Sequence, residues 1–113
     1  MPESIQKFTL SAVGNTDIRV PNGNLEGATI YIENDSDGTF YLSASGDAGV
    51  TFAPNAGVGM SDENGTAVAV GPSSDDRHVL SGLATNLRLR CHTGYTTGNI
   101  NVWIMFPAPR SVR

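Results

Sequence analysis

Apolar and polar residues alternate along most of this chain, and the alternating runs are bounded by Gly, Pro, Asn, Asp and Ser. A period of two sends successive side chains to opposite faces of a strand, one buried and one solvated. The pattern predicts strands at Ile5–Ala12, Asp17–Val20, Ala28–Asn34, Thr39–Ser45, Val50–Ala53, Thr66–Val70, Arg77–Leu83, Asn86–His92 and Asn99–Phe106. No long window carries an i, i+3, i+4, i+7 apolar stripe free of Gly or Pro, so little or no helix is expected. Pro21-Asn22-Gly23-Asn24 is a strong turn between the second and third strands. From Gly46 to Gly65, Gly, Ala, Asn and Pro alternate with few bulky residues, which reads as long loops holding one or two short strands.

Two neighbouring strand pairs can be given a register. Setting Ile32 opposite Phe40 also sets Ile30 opposite Leu42, Ala28 opposite Ala44 and, on the other face, Tyr31 opposite Tyr41. The short connection Asp35-Ser36-Asp37-Gly38 then closes a hairpin with Gly38 at positive φ. Setting Cys91 opposite Ile100 places Leu89 against Val102 and Leu87 against Ile104. Its reverse face pairs Arg90 with Asn101 and Arg88 with Trp103. A one-residue slip would oppose leucine to asparagine and tryptophan, so this register is strongly specified. Short strands at near-regular spacing predict an all-β fold, an antiparallel β-sandwich or jelly roll of about eight strands, with a small β-barrel as the alternative.

Length and composition add boundaries to that picture. The chain has 113 residues, the size of one domain, enough to bury roughly two thirds of its unfolded surface. Residues 1–6 and 107–113 are expected to be short extended termini, because Pro107 and Pro109 lack the donor a sheet needs. Charged residues make up 16% of the chain, below the usual value of about 25%. The net charge of −4 and a single lysine, Lys7, argue against a nucleic-acid binder and against polybasic membrane docking. No apolar run approaches a membrane span, and Met1-Pro2-Glu3-Ser4 does not open a secretion signal. One cysteine, Cys91, excludes an internal disulfide, in keeping with a reducing cytoplasm.

The side chains able to carry chemistry are few. His92 and Cys91 are adjacent on one strand and point to opposite faces, so they do not share a metal. No CxxC, HxH or HExxH spacing occurs, and His78 and His92 read as solvated edge residues. Cys91 shares a face with Leu87 and Leu89 and reads as a small buried hydrophobe. Asp75-Asp76-Arg77-His78 groups acids with a histidine, but turn chemistry accounts for it and no GxSxG elbow supplies a nucleophile. Asp35-Ser36-Asp37-Gly38 and Asp62-Glu63-Asn64-Gly65 lack the downstream bidentate Glu of a calcium loop. Asn34-Asp35-Ser36 and Asn64-Gly65-Thr66 match a glycosylation pattern at the rate chance provides. Gly57-Val58-Gly59 is followed by no phosphate-loop Lys. No catalytic set, cofactor or metal is therefore expected.

What remains is surface. Arg88, Arg90, Trp103 and Met105 lie opposite the aliphatic stripe of the last strand pair, and Trp and Arg are enriched at interface hot spots. An intramolecular Arg88–Trp103 stack, worth ~0.5–1 kcal/mol when exposed, is the local alternative. Pro107, Pro109 and Arg110 belong to a tail that could lie on a neighbour. Tyr31, Tyr41 and Tyr95 could instead serve as stacking platforms for sugars.

In its size, low charge, strand pattern, Gly/Ala/Asn-rich loops and proline-containing tail, the chain resembles the small capsid-decoration, or cement, proteins of tailed bacteriophages. The resemblance carries no motif, and so assigns no residue. It implies a β-sandwich or jelly-roll protein of the virion, a dimer or trimer that binds the assembled shell of major capsid protein or other virion subunits. Such a protein stabilises by mass action, because it binds the shell and not the separated subunits. The different-class alternative is a carbohydrate-binding or receptor-binding β-sandwich module.

Overall fold

The computed structural model describes residues 4–49, 52, 64, 68–92 and 94–107. Their strands are β1 (Ser4–Leu10), β2 (Gly14–Arg19), β3 (Thr29–Asn34), β4 (Phe40–Ser45), β5 (Ala69–Val70), β6 (Ser74–Val79), β7 (Asn86–Cys91) and β8 (Ile100–Phe106). The only helical piece among the described residues is the 3-10 turn Pro21–Gly23, left-handed at Asn22 and Gly23, where the turn was expected. The expected strand Ile5–Ala12 is β1, which takes in Ser4 from the expected extended terminus and ends at Leu10. The expected strand Arg77–Leu83 starts earlier, at Ser74, so Asp75–His78 is an edge strand and not a turn. The expected strand Val50–Ala53 lies outside the described residues except for Phe52, and Thr66–Val70 is represented by β5.

All pairing is antiparallel. A front sheet has the order β1-β8-β3-β6 and a back sheet the order β2-β7-β4-β5. Apart from β4 and β5, every pair of consecutive strands is divided between the two sheets, which is the strand order of a jelly roll. The edge strands do not pair across the gap, so the architecture is a sandwich and not a barrel.

Both expected hairpins are therefore corrected. β3 pairs with β8 and β6, and β4 pairs with β7 and β5. Leu89 lies opposite Leu42, and Val102 lies opposite Ile32. The stripes matched in sequence meet across the core instead of side by side. Alternation sets which face of a strand is buried and is equally satisfied by a neighbour in the sheet or a partner in the facing sheet.

One apolar cluster fills the space between the sheets. Ile30, Ile100 and Ile104 come from the front sheet, Phe40, Leu42, Leu87 and Leu89 from the back, all fully buried. Cys91 is buried among them as expected, and burial, with the charge of Asp37 adding to it, raises its thiol pKa. His78, expected to be solvated, points inward from β6 and is buried, its Nε2 3.1 Å from Asp76 Oδ2. Truncating any of these leucines or isoleucines to alanine leaves a cavity costing ~2–5 kcal/mol.

Polar contacts tie the crossovers together at one end. Asn34, fully buried on β3, donates from Nδ2 to the carbonyls of Gly38, Val70 and Gly71 at 2.9, 3.1 and 3.0 Å. Its Oδ1 accepts from the Ser36 amide and hydroxyl. A front-sheet residue thus satisfies carbonyls at the end of β5 in the back sheet. Gly38 does not adopt positive φ. Glycine is needed there because a Cβ would come within 2.6 Å of Tyr95 Cβ. Gly98 is needed on both counts, with φ +98° and Ser36 Cα 2.6 Å from where its Cβ would stand.

Candidate functional site

The two outer faces of the sandwich differ in chemistry. Parity along β2, β7 and β4 points Asn15, Asp17 and Arg19, Arg90, Arg88 and Asn86, and Tyr41, Ser43 and Ser45 outward from the back sheet. Part of that face is covered by the chain itself, while Asn15, Asp17 and Arg19 are exposed. Ser43 and Ser45 are almost completely buried although they face away from the core. Ser45 Oγ donates to Asp47 Oδ1 at 2.7 Å and accepts from the Gly49 amide at 3.0 Å, folding the following segment over the strand. Phe52 is buried outside the central cluster, and the Arg88 guanidinium lies 4.0 Å from its ring centroid. Arg88 also forms a two-pronged pair with Asp17, Nε to Oδ1 at 2.8 Å and Nη2 to Oδ2 at 3.0 Å, which raises its pKa.

On the front sheet the outward residues range from half-buried to exposed. Three transverse rows cross β1, β8, β3 and β6 on its outer side: Ile5-Met105-Thr29-Val79, Lys7-Trp103-Tyr31-Arg77 and Thr9-Asn101-Glu33-Asp75. The first row is mostly apolar, with Ile5 65% exposed. In the second, Trp103 and Tyr31 are direct cross-strand neighbours, flanked by Lys7 Nζ 5.1 Å from the Trp103 ring and the Arg77 guanidinium 5.9 Å from the Tyr31 ring. The third is a polar chain in which Thr9 Oγ1 donates to Asn101 Oδ1 at 2.9 Å and Asn101 Nδ2 donates to Glu33 Oε1 at 3.1 Å. Between the second and third rows lies a shallow depression of about 350 Å³ lined by Tyr31, Ile32, Glu33, Asp75, Asp76 and Trp103.

This geometry divides the residues singled out in the sequence. Trp103 and Met105 are on the front face, Arg88 and Arg90 on the back face, so the four do not form one patch. An Arg88–Trp103 stack is ruled out: Arg88 packs on Phe52 and Trp103 beside Tyr31 and Lys7. Tyr31 and Tyr41 likewise part company. Tyr31 is 42% exposed next to Trp103, whereas Tyr41 meets His92 edge-on at 5.5 Å between centroids. Tyr95 packs against the core, its hydroxyl 2.6 Å from Gly98 O and 2.9 Å from Ser11 O, so its ring is not a platform. Pro107 is exposed after β8, and Pro109 and Arg110 lie outside the described residues.

Sequence reasoning passed over Lys7, Glu33, Asp75 and Arg77 as parts of a surface. Each sits on a strand of no special composition, and only the β1-β8-β3-β6 order gathers them around Trp103. Asp37, weighed as a calcium-loop member, is a cap: it accepts from the Thr96 and Thr97 amides at 2.8 and 3.0 Å and from the Thr96 hydroxyl. Those bonds, the hydroxyl first, lower its pKa to about 2. Among the described residues no group of three His, Cys, Asp or Glu is arranged to hold a metal, and no helix is long and apolar enough to cross a membrane.

No protein-family model matches the chain, and no curated protein matches it. Among solved structures it is similar to the crystal structure of the SPBc2 prophage-derived protein YomS. The TM-score is 0.55 at 12% sequence identity, covering 94% of this chain and 95% of that one. A de novo designed double-stranded β-helix solved by NMR aligns with a TM-score of 0.39 and 15% identity over 89% of this chain and 95% of the design. The first likeness shows a shared fold over nearly the whole of both chains.

Proposed function

We propose that this chain is a non-enzymatic structural protein of a phage virion, of the capsid-decoration type, that docks through the outer face of its front sheet. The observation that carries the reading is the contrast between the faces. Ile5, Met105, Trp103 and Tyr31 adjoin on the front face, Ile5 and Tyr31 exposed and Met105 and Trp103 half-buried, while on the back face Ser43 and Ser45 are buried and Phe52 packs on Arg88. Large apolar and aromatic side chains grouped on one face mark an interaction surface, and tryptophan and tyrosine at its centre are the residues that dominate such interfaces. The prophage-derived structural neighbour supports a phage setting. Partners would be a second copy of this chain and the subunits of the shell, stabilised by mass action.

Light scattering across a hundredfold dilution tests self-association through this face. A dimer or trimer is expected, converted to monomer by Ile5→Asn with Trp103→Ala at unchanged circular dichroism. An oligomer indifferent to both substitutions would sink the docking role of the front face. One observation favours a second reading, a carbohydrate-binding module: two aromatic rings lie side by side above a row of polar groups. A strict monomer that retains a glycan on an array would support it instead.

A further inference from the structure

We infer that the depression between Trp103, Tyr31 and the β6 edge seats an arginine side chain presented by the protein that docks on this face. The inference rests on the docking reading and adds the chemistry of the partner. The lining joins the aromatic pair Tyr31 and Trp103 to the outward-facing acids Glu33 and Asp75, with no cation among the lining residues. Guanidinium suits both at once. Its plane and aliphatic stem lie on aromatic rings, and its fork donates in parallel to carboxylate oxygens.

The acids have acceptors to spare. Asp76 is committed, its Oδ1 to the Arg77 amide at 2.8 Å and its Oδ2 to His78. Glu33 gives Oε1 to Asn101, which leaves Oε2, and the Asp75 carboxylate makes no hydrogen bond within the described residues. The rings of this face already draw cations, since Lys7 approaches Trp103 from β1 and Arg77 approaches Tyr31 from β6. Arg77, at 5.9 Å, stands at the outer limit of that attraction, and an incoming guanidinium would compete with it for the Tyr31 ring. A neutral sugar would use the rings and leave the carboxylates uncompensated. An ammonium could reach the carboxylates as a point charge but lacks the flat face that stacks on the rings and the fork that pairs with a carboxylate in parallel. An anion would be repelled.

Trp103 is the only tryptophan, so its emission reports on the depression directly. N-acetyl-arginine amide is expected to change that emission saturably and to shift the amide resonances of Tyr31, Glu33, Asp75 and Trp103. N-acetyl-lysine amide should bind several-fold more weakly, and methyl glucoside and methyl mannoside should leave the spectra unchanged. Raising salt from about 20 mM to about 500 mM should weaken the arginine response. Glu33→Gln with Asp75→Asn should weaken it at least tenfold while the urea midpoint stays in place. Binding of a glycoside without arginine, arginine binding unchanged in the double variant, or no saturable response would each overturn the inference. If the arginine probe fails while Trp103→Ala abolishes self-association, this inference falls and docking through the face stands. If the probe binds and Trp103→Ala leaves the oligomer intact, the seat stands and the docking reading falls.

Discussion

The outer faces of the two sheets began from the same strand grammar and ended with opposite fates. On the back face, every second residue of β4 and β7 points away from the core, as on the front, yet Ser43 and Ser45 are as buried as core residues. The chain after β4 turns back over them through Ser45, Asp47 and Gly49, sets Phe52 against Arg88, and pairs Arg88 with Asp17. On the front face the larger and more apolar side chains are only partly covered, with Ile5 and Tyr31 exposed and Trp103 and Met105 half-buried. Phe52 packs over part of the polar face, while the tryptophan–tyrosine pair keeps partly exposed apolar area where a partner can use it.

The largest expected effect comes from removing the cover. Phe52→Ala should lower stability by about 3–5 kcal/mol, since the ring is 3% exposed and its loss leaves a cavity over Arg88. Trp103→Ala, at a half-buried solvent-facing position, should cost about 1 kcal/mol or less. Urea denaturation of both variants reads the difference directly. Equal losses would erase the distinction between a covered and a partly exposed face.

The faces remain in separate sheets only if the crossovers hold, and Asp37 caps one of them. Its pKa is lowered to about 2 in the folded protein, below the ordinary carboxylate value of 3.8. Its contribution to stability is therefore fully present above pH 4 and is lost as pH falls from about 4 through about 2. Asp37→Asn should be less stable than the parent at pH 7, and the gap should narrow across that acid window. Thermal melts between neutral pH and pH 2 check it. A gap that widens on acidification would mean that the carboxylate is not the stabilising form.

The smallest effect belongs to the polar part of the back face. Asp17→Asn breaks the pair with Arg88, but both side chains are partly solvated, so the loss should be about 0.2–1 kcal/mol and should shrink in high salt. A loss above about 2 kcal/mol would mean that the pair, not Phe52, holds the cover in place.

The strands were legible because alternation survives at nearly every one. Ile100, Val102, Ile104 and Phe106 against Asn101, Trp103 and Met105 give an unambiguous inner and outer side to β8. Cys91 as a buried hydrophobe followed from the same rule. β6 was less legible. Asp75, Asp76 and Arg77 look like a turn because edge strands carry charge to discourage further pairing, which masks their extended backbone. The turn at Asp35–Gly38 was located correctly and its purpose misread, since it carries the chain between sheets and Gly38 serves a close approach to Tyr95.

By itself the sequence determined the fold class, the positions of most strands, and which side of each strand faces the core, because a period-two pattern responds to burial and nothing else. Strand neighbours, and with them the site, were decided only by the tertiary structure. The stripes of β7 and β8, like those of β3 and β4, match equally well across a sheet or across a core. The choice between those geometries rests on long-range contacts such as Asn34 with Val70 and Asp37 with Thr96. That choice separated Arg88 from Trp103, brought Tyr31 beside Trp103, and set the acids of β3 and β6 around them.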